Sequence, residues 1–187
     1  MNEFTRFVQH QSSYIMIQRR ILVLLFVLLW GWLEVTQPLY AQTTEDKMKA
    51  VFLYSFTKYV DWSHSDDQIV IGVYGNNTVL NILQKDMKGK KVQGKDVVAK
   101  SITTPSEVQS CQVVYLPKSN SSQLSEVVST SAKQGILVVT EENLAAQGAG
   151  ISFTKQSSKL GFVLNKKVLE ANQLKVMTAL YNMGKVL

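Results

Sequence analysis

The sequence predicts an α/β domain: a single domain built on a mixed, mainly parallel sheet, with helices on both faces and an antiparallel hairpin near the C-terminus. Three observations carry this. Four short apolar runs, Ile69–Tyr74, Asp96–Ile102, Cys111–Leu116 and Ile136–Thr140, alternate with stretches of helical spacing. The first, IVIGVY, is nearly continuous, as expected of a strand covered on both faces. Beyond Gly150 the period changes to two: Ile151 and Phe153 alternate, Gln156 to Ser158 turns the chain, and Leu160, Phe162 and Leu164 alternate back.

The elements follow in order. Lys47–Trp62, KMKAVFLYSFTKYVDW, repeats Met48, Val51, Phe52, Ser55, Phe56 and Tyr59 at the spacing of a helix with one buried face. Thr43 and Thr44 are its candidate N-caps, and Glu45 and Asp46 place negative charge in the first turn. After the first strand, Asn76 or Asn77 caps a helix carrying Val79, Leu80, Ile82, Leu83 and Met87. Gly89 and Gly94 bracket a basic turn, and the less apolar strand Asp96–Ile102 belongs near an edge. Pro105–Ser110 holds one helical turn. Leu124, Val127, Val128 and Ala132 mark a helix face that Gly135 ends. Glu141 and Glu142 lead through a short turn to Ala146. Lys166–Ala171 starts a helix, and Leu174, Met177, Leu180 and Tyr181 carry the last one.

The chain of 187 residues divides into 1–41 and 42–187. Arg19 and Arg20 precede thirteen apolar residues, Ile21–Leu33, short for a membrane span and suited to a signal peptide. Ala41 before Gln42 gives the expected cleavage point, and Met16 is the expected true start. The remainder is then periplasmic, with no stable membrane insertion after cleavage. Removing Arg6, Arg19, Arg20, Glu3 and Glu34 leaves 17 basic and 12 acidic residues, net +5. The one short basic cluster, Lys88, Lys90, Lys91 and Lys95, has no interleaved aromatics and reads as a solvated face, so no nucleic acid is expected.

The chemistry is sparse. Beyond the leader there is one histidine, His64, and one cysteine, Cys111, too few for a zinc or transition-metal site of the usual His and Cys type. There is no G-x-S-x-G elbow, Walker A, EF-hand or C-x-x-C pattern, and Gly72–Asn77 lacks the dinucleotide fingerprint. Asp66-Asp67 and Glu141-Glu142 read as loop solvation. The expectation is therefore no catalytic residue, no metal and no cofactor. Cys111 opens an apolar run and is expected to be buried. Ligands of open α/β sheets sit beyond the carboxyl ends of the strands. That makes Asn76, Asn77, Lys118, Ser119 and Asn120 the candidate ligand-binding residues, with plain capping as the competing reading. Lys58, Tyr59 and Trp62, at the end of the first helix, are candidates for a partner interface, with a core role competing for Tyr59 and Trp62.

Lys49–Trp62, Ile69–Gly75, Cys111–Leu116, Ile136–Thr140, Gly148–Ile151, Phe162–Asn165 and Leu174–Val186 resemble, in that order, the YfiR-like family of exported bacterial proteins. The resemblance implies a periplasmic regulatory protein whose partner is an inner-membrane signalling protein, a diguanylate cyclase or a sensor kinase. The best-known member represses a diguanylate cyclase. Two departures stand out: such members use cysteine pairs where this chain has Cys111 alone, and Ser63 replaces the usual Pro after the Trp. A periplasmic carrier or sensor of a small ligand is the alternative function, and a homodimer stays open.

Overall fold

The structure is a computed structural model that describes residues 38–62, 67–156 and 159–187, with side chains from Thr44 onward except at Gln156. The chain divides into Met1–Gln42 and Thr43–Leu187, and the architecture here is that of the second unit. Residues 1–37 of the expected leader, its expected start Met16 and His64 lie outside the described residues. The expected cleavage point after Ala41 falls in the first turn of a helix whose side chains there are not described. No helix among the described residues is long and apolar enough to cross a membrane.

The helices are α1 (Pro38–Tyr59), α2 (Thr78–Asp86), α3 (Leu124–Ser131), α4 (Lys166–Ala171) and α5 (Thr178–Met183). The strands are β1 (Gln68–Tyr74), β2 (Lys91–Val92), β3 (Lys95–Ile102), β4 (Val113–Leu116), β5 (Leu137–Thr140), β6 (Ile151–Gln156), β7 (Lys159–Leu164) and β8 (Lys185–Val186). They form one sheet in the order β2-β3-β1-β4-β5-β6-β7-β8. β3, β1, β4, β5 and β6 are parallel, whereas β6–β7 and β2–β3 are antiparallel. The expected mixed α/β sheet and its hairpin are thus observed. The five parallel strands run second-first-third-fourth-fifth, the doubly wound order whose direction of travel reverses between β1 and β4.

Two apolar layers cover the sheet. On one face α1, α2, α4 and α5 pack on Ile69, Ile71, Val73, Tyr115, Val139, Phe153 and Leu164. On the other, Val108 of a 3-10 turn (Pro105–Ser110) and Leu124 and Val127 of α3 pack on Tyr74, Val114, Leu116 and Val138. This double cover is why β4 and β5 are buried along their whole length. Gly72 of β1 leaves room for Cys111 and Ile102 on this second face. A Cβ there would lie 2.6 Å from Cys111 Sγ and 3.2 Å from Ile102 Cδ1. Cys111 is buried as expected.

Three expectations are corrected. α1 starts at Pro38, a residue suited to a first turn, so Thr43 and Thr44 lie inside the helix and do not cap it. The buried face of α1 is Asp46, Lys49, Ala50, Leu53, Phe56, Thr57 and Val60, one residue out of phase with the expected one. Met48 and Val51 are 40% and 60% exposed. Counting apolar residues misplaced the face because two charged side chains belong to it. The last helix is only Thr178–Met183: Leu174 is buried ahead of it and Met177 stands exposed at its start. The two-residue strands β2 and β8 went unforeseen, since neither carries enough residues to show a period.

The end of α1 is clamped. Gln93 and Gly94 both have positive φ, +53° and +80°, in the two-residue connection between β2 and β3. The Gln93 amide donates to Val60 O (2.8 Å) and accepts from the Trp62 backbone N–H (3.2 Å). From the other side Asp61 N–H donates to Lys175 O, Met177 N–H donates to Tyr59 O, and Val60 pairs with Val176.

Candidate functional site at the carboxyl ends of the strands

Two loops meet where the strand order reverses. After β1 the chain turns at Gly75, whose φ of +76° suits glycine. The Asn77 carboxamide accepts the Leu80 N–H and caps α2. After β4, Pro117 leads into a 3-10 turn (Lys118–Gln123) in which Asn120 N–H donates to Pro117 O and Ser119 Oγ donates to Asn120 Oδ1. A Cβ on Gly75 would stand 3.9 Å from Asn120 Oδ1. Of the expected ligand residues, the structure therefore brings the two loops together. It shows Asn77 occupied as a cap, Asn76, Lys118 and Ser119 exposed, and Asn120 half-buried between the loops.

Beside them, at the end of β5, lies a cluster that the sequence reading passed over. Lys49 is 1% exposed. Its Nζ stands 3.0 Å from Glu45 Oε1, 3.4 Å from Asp46 Oδ1 and 2.5 Å from Glu141 Oε1. Glu45 and Asp46 reach it because residues three and four apart share a helix face. Glu141 arrives from the strand-end loop, so it is a half-buried ion-pair member and not the solvated loop charge expected. Its second oxygen accepts the Lys118 N–H at 2.8 Å, joining the cluster to the candidate ligand loop. Glu45 also pairs with Lys155 of β6 at 2.6 Å. The usable signal was the E-D-x-x-K spacing of Glu45, Asp46 and Lys49.

Charge assigns the protonation states. Burial pulls the Lys49 pKa down, but hydrogen bonds to Glu141 and Glu45 and the charges of both outweigh it, and the net shift is upward. Lys49 is held as an ammonium and offers no free amine for nucleophilic or base chemistry. Burial raises Glu141 and Glu45, and their lysine partners more than reverse it, so both are held ionised. Tyr115, buried below, is pushed strongly upward by burial first and by the Glu141 charge second. Its hydroxyl makes no hydrogen bond of full geometry. Among the described residues no group of three or more His, Cys, Asp or Glu side chains is placed to hold a metal ion.

The expected interface residues separate. Lys58 is exposed and Tyr59 half-buried, whereas Trp62 is 3% exposed, in the core, with its indole N–H donating to Thr57 O at 2.7 Å. An indole with both its ring and its donor satisfied internally presents nothing to a partner, so Trp62 is corrected from interface to core.

A search of curated protein sequences found no match. Among solved structures the chain is similar to a conserved domain protein from Vibrio cholerae O1 biovar El Tor, with a TM-score of 0.51 at 13% identity over 75% of this chain and 59% of that one. It is also similar to the ABC domain in complex with L-Trp from Streptococcus pneumonia, with a TM-score of 0.50 at 11% identity over 76% and 62%. It spans about three fifths of the length of each, and the likeness is one of fold. The model of the YfiR/HmsC-like family matches residues 46–185, from the buried acid of α1 to the start of β8. The chain belongs to the YfiR/HmsC-like family, whose members are periplasmic regulatory proteins.

Proposed function

We propose that this protein, exported by the leader 1–41 and cleaved after Ala41, docks on an inner-membrane signalling receptor and represses a diguanylate cyclase. The observation that carries the reading is the family match over residues 46–185. The surface of α1 supports it, since Met48 and Val51 are exposed on a helix whose other face is already buried in the core. The strand-end cluster supports binding over turnover: its lysine is neutralised by carboxylates and its carboxylates by lysines. The test is affinity purification of the tagged full chain from detergent-solubilised inner membranes, with cellular cyclic-di-GMP measured in parallel. Retrieval of a membrane cyclase or sensor kinase, and a rise in cyclic-di-GMP on deletion, supports the reading. Membranes that yield no signalling protein count against it. Intact mass of the periplasmic form beginning at Gln42 checks the processing.

A second reading, a small-ligand sensor, is favoured by one observation. The buried Tyr115 hydroxyl has only a contact of poor geometry with Glu141, and under-bonded buried hydroxyls commonly bind an ordered water or a ligand atom. A thermal-shift screen against polar metabolites tests it, because a ligand of the folded state raises the midpoint.

A further inference from the structure

From Lys47 and Met48, steps of three or four residues along α1 lead to Val51, then to Tyr54 and Ser55, then to Lys58, which makes them a single stripe. The stripe lies away from the core face of Lys49, Leu53, Phe56 and Val60. Its middle is apolar and open: Met48 and Val51 are exposed and Tyr54 is half-buried. One end carries two lysines. Lys58 Nζ sits 4.4 Å from the Tyr54 ring centroid, and Lys90 Nζ, from the turn before β2, sits 5.1 Å from it. Two ammonium groups held at one ring repel each other, and the ring quadrupole offsets only part of that. Among the described residues neither lysine forms an ion pair with a carboxylate. The acids of α1, Glu45 and Asp46, are committed to Lys49 and Lys155 on the inner side.

We infer that this stripe is the docking surface for the receptor, and that it takes an acidic segment of a protein in which an apolar side chain stands next to Asp or Glu. This inference rests on the docking function proposed above and names its face. An apolar centre with a charged rim is the usual anatomy of a protein interface. A carboxylate beside the Tyr54 ring pairs with the ammonium groups held there while an apolar neighbour covers Val51. A lipid surface fits less well. Anionic-lipid recognition relies on clustered basic residues free to reach headgroups, whereas Lys58 and Lys90 are held at the Tyr54 ring and Lys91 is already paired with Asp96.

The test places a photo-crosslinking residue, p-benzoylphenylalanine, at Val51, at Tyr54 and, as a remote control, at Glu170 of α4. The full chain is expressed in its own bacterium and the crosslinked peptides are sequenced by mass spectrometry. Crosslinks from positions 51 and 54, but not 170, to an Asp/Glu-containing segment of an inner-membrane protein are expected. Lys58→Glu/Lys90→Glu should lower their yield at least several-fold, Lys58→Arg/Lys90→Arg should retain it, and the thermal midpoint should not move. Capture of a receptor only from position 170 overturns the surface and leaves the docking function standing. Adducts from 51 and 54 with phospholipid alone also overturn it. No protein adduct from any position overturns both.

Discussion

Lys49 is the residue on which the fold's electrostatics turn. Removing its ammonium leaves Glu45, Asp46 and Glu141 facing one another under cover. Lys49→Met should cost about 2–4 kcal/mol, toward the lower end for a broken buried pair because Glu45 and Glu141 keep some solvent. Urea denaturation checks this. The pH dependence has a definite sign. Glu45 and Glu141 are lowered from 4.5 in the fold, so their contribution is complete above about pH 4.5 and is lost as pH falls through the lower folded values. Lys49 is raised from 10.5, so its contribution is complete below that value and is lost as pH rises through the higher folded one. Lys49→Met should flatten both limbs. Glu107 provides an independent titration: backbone N–H donors from Thr103 and Thr104 hold it at about 2, readable by NMR. Tyr115→Phe, which removes a buried hydroxyl whose contact with Glu141 falls short of full hydrogen-bond geometry, should change stability by no more than about 1 kcal/mol. Burial raises the Cys111 thiol, so it should resist a thiol reagent until the chain unfolds. Gly72→Ala should destabilise by about 1–3 kcal/mol, and Cys111→Ala should recover part of that in a double-mutant cycle.

At the scale of elements, α1 is fixed at both ends, by the ion cluster toward its N-terminal side and by Gln93 at its last turn. Gln93→Ala removes two hydrogen bonds and keeps an unfavourable positive φ, so it should cost about 1–3 kcal/mol. Gln93→Gly, which tolerates that φ, should cost less; thermal melts separate the two. The strands were legible because two covered faces force unbroken apolar runs, as in Ile69–Tyr74 and Ile136–Thr140. Asn77 was legible as a cap because a short polar side chain before an apolar helix has one favoured use. The buried face of α1 was not, since a lysine paid for by three carboxylates looks, in sequence, like any solvated lysine. Glu141 was hidden for the same reason: its partner lies 92 residues away, beyond any local pattern. The meeting of Gly75 with Asn120 follows from sheet order, and the sequence carries that only through the alternation of strands and helices.

At the largest scale, the unit Thr43–Leu187 is a doubly wound sheet carrying, on one face, a helix that is apolar on two sides. One side builds the core with Phe153 and Phe162 of the hairpin, whose rings lie 6.1 and 5.0 Å from that of Phe56. The other faces outward with Val51 and the lysine pair at Tyr54. The strand-end cluster ties this helix to the loops that follow β4 and β5, so α1 and those loops belong to one connected frame. The account's central claim is repression of a membrane cyclase by contact. Cellular cyclic-di-GMP in strains lacking this protein, its captured receptor or both tests it most directly. The account predicts a rise in the first strain that the full chain reverses and that vanishes when the receptor is also absent. An unchanged level in the first strain, or a rise that persists without the receptor, would contradict it.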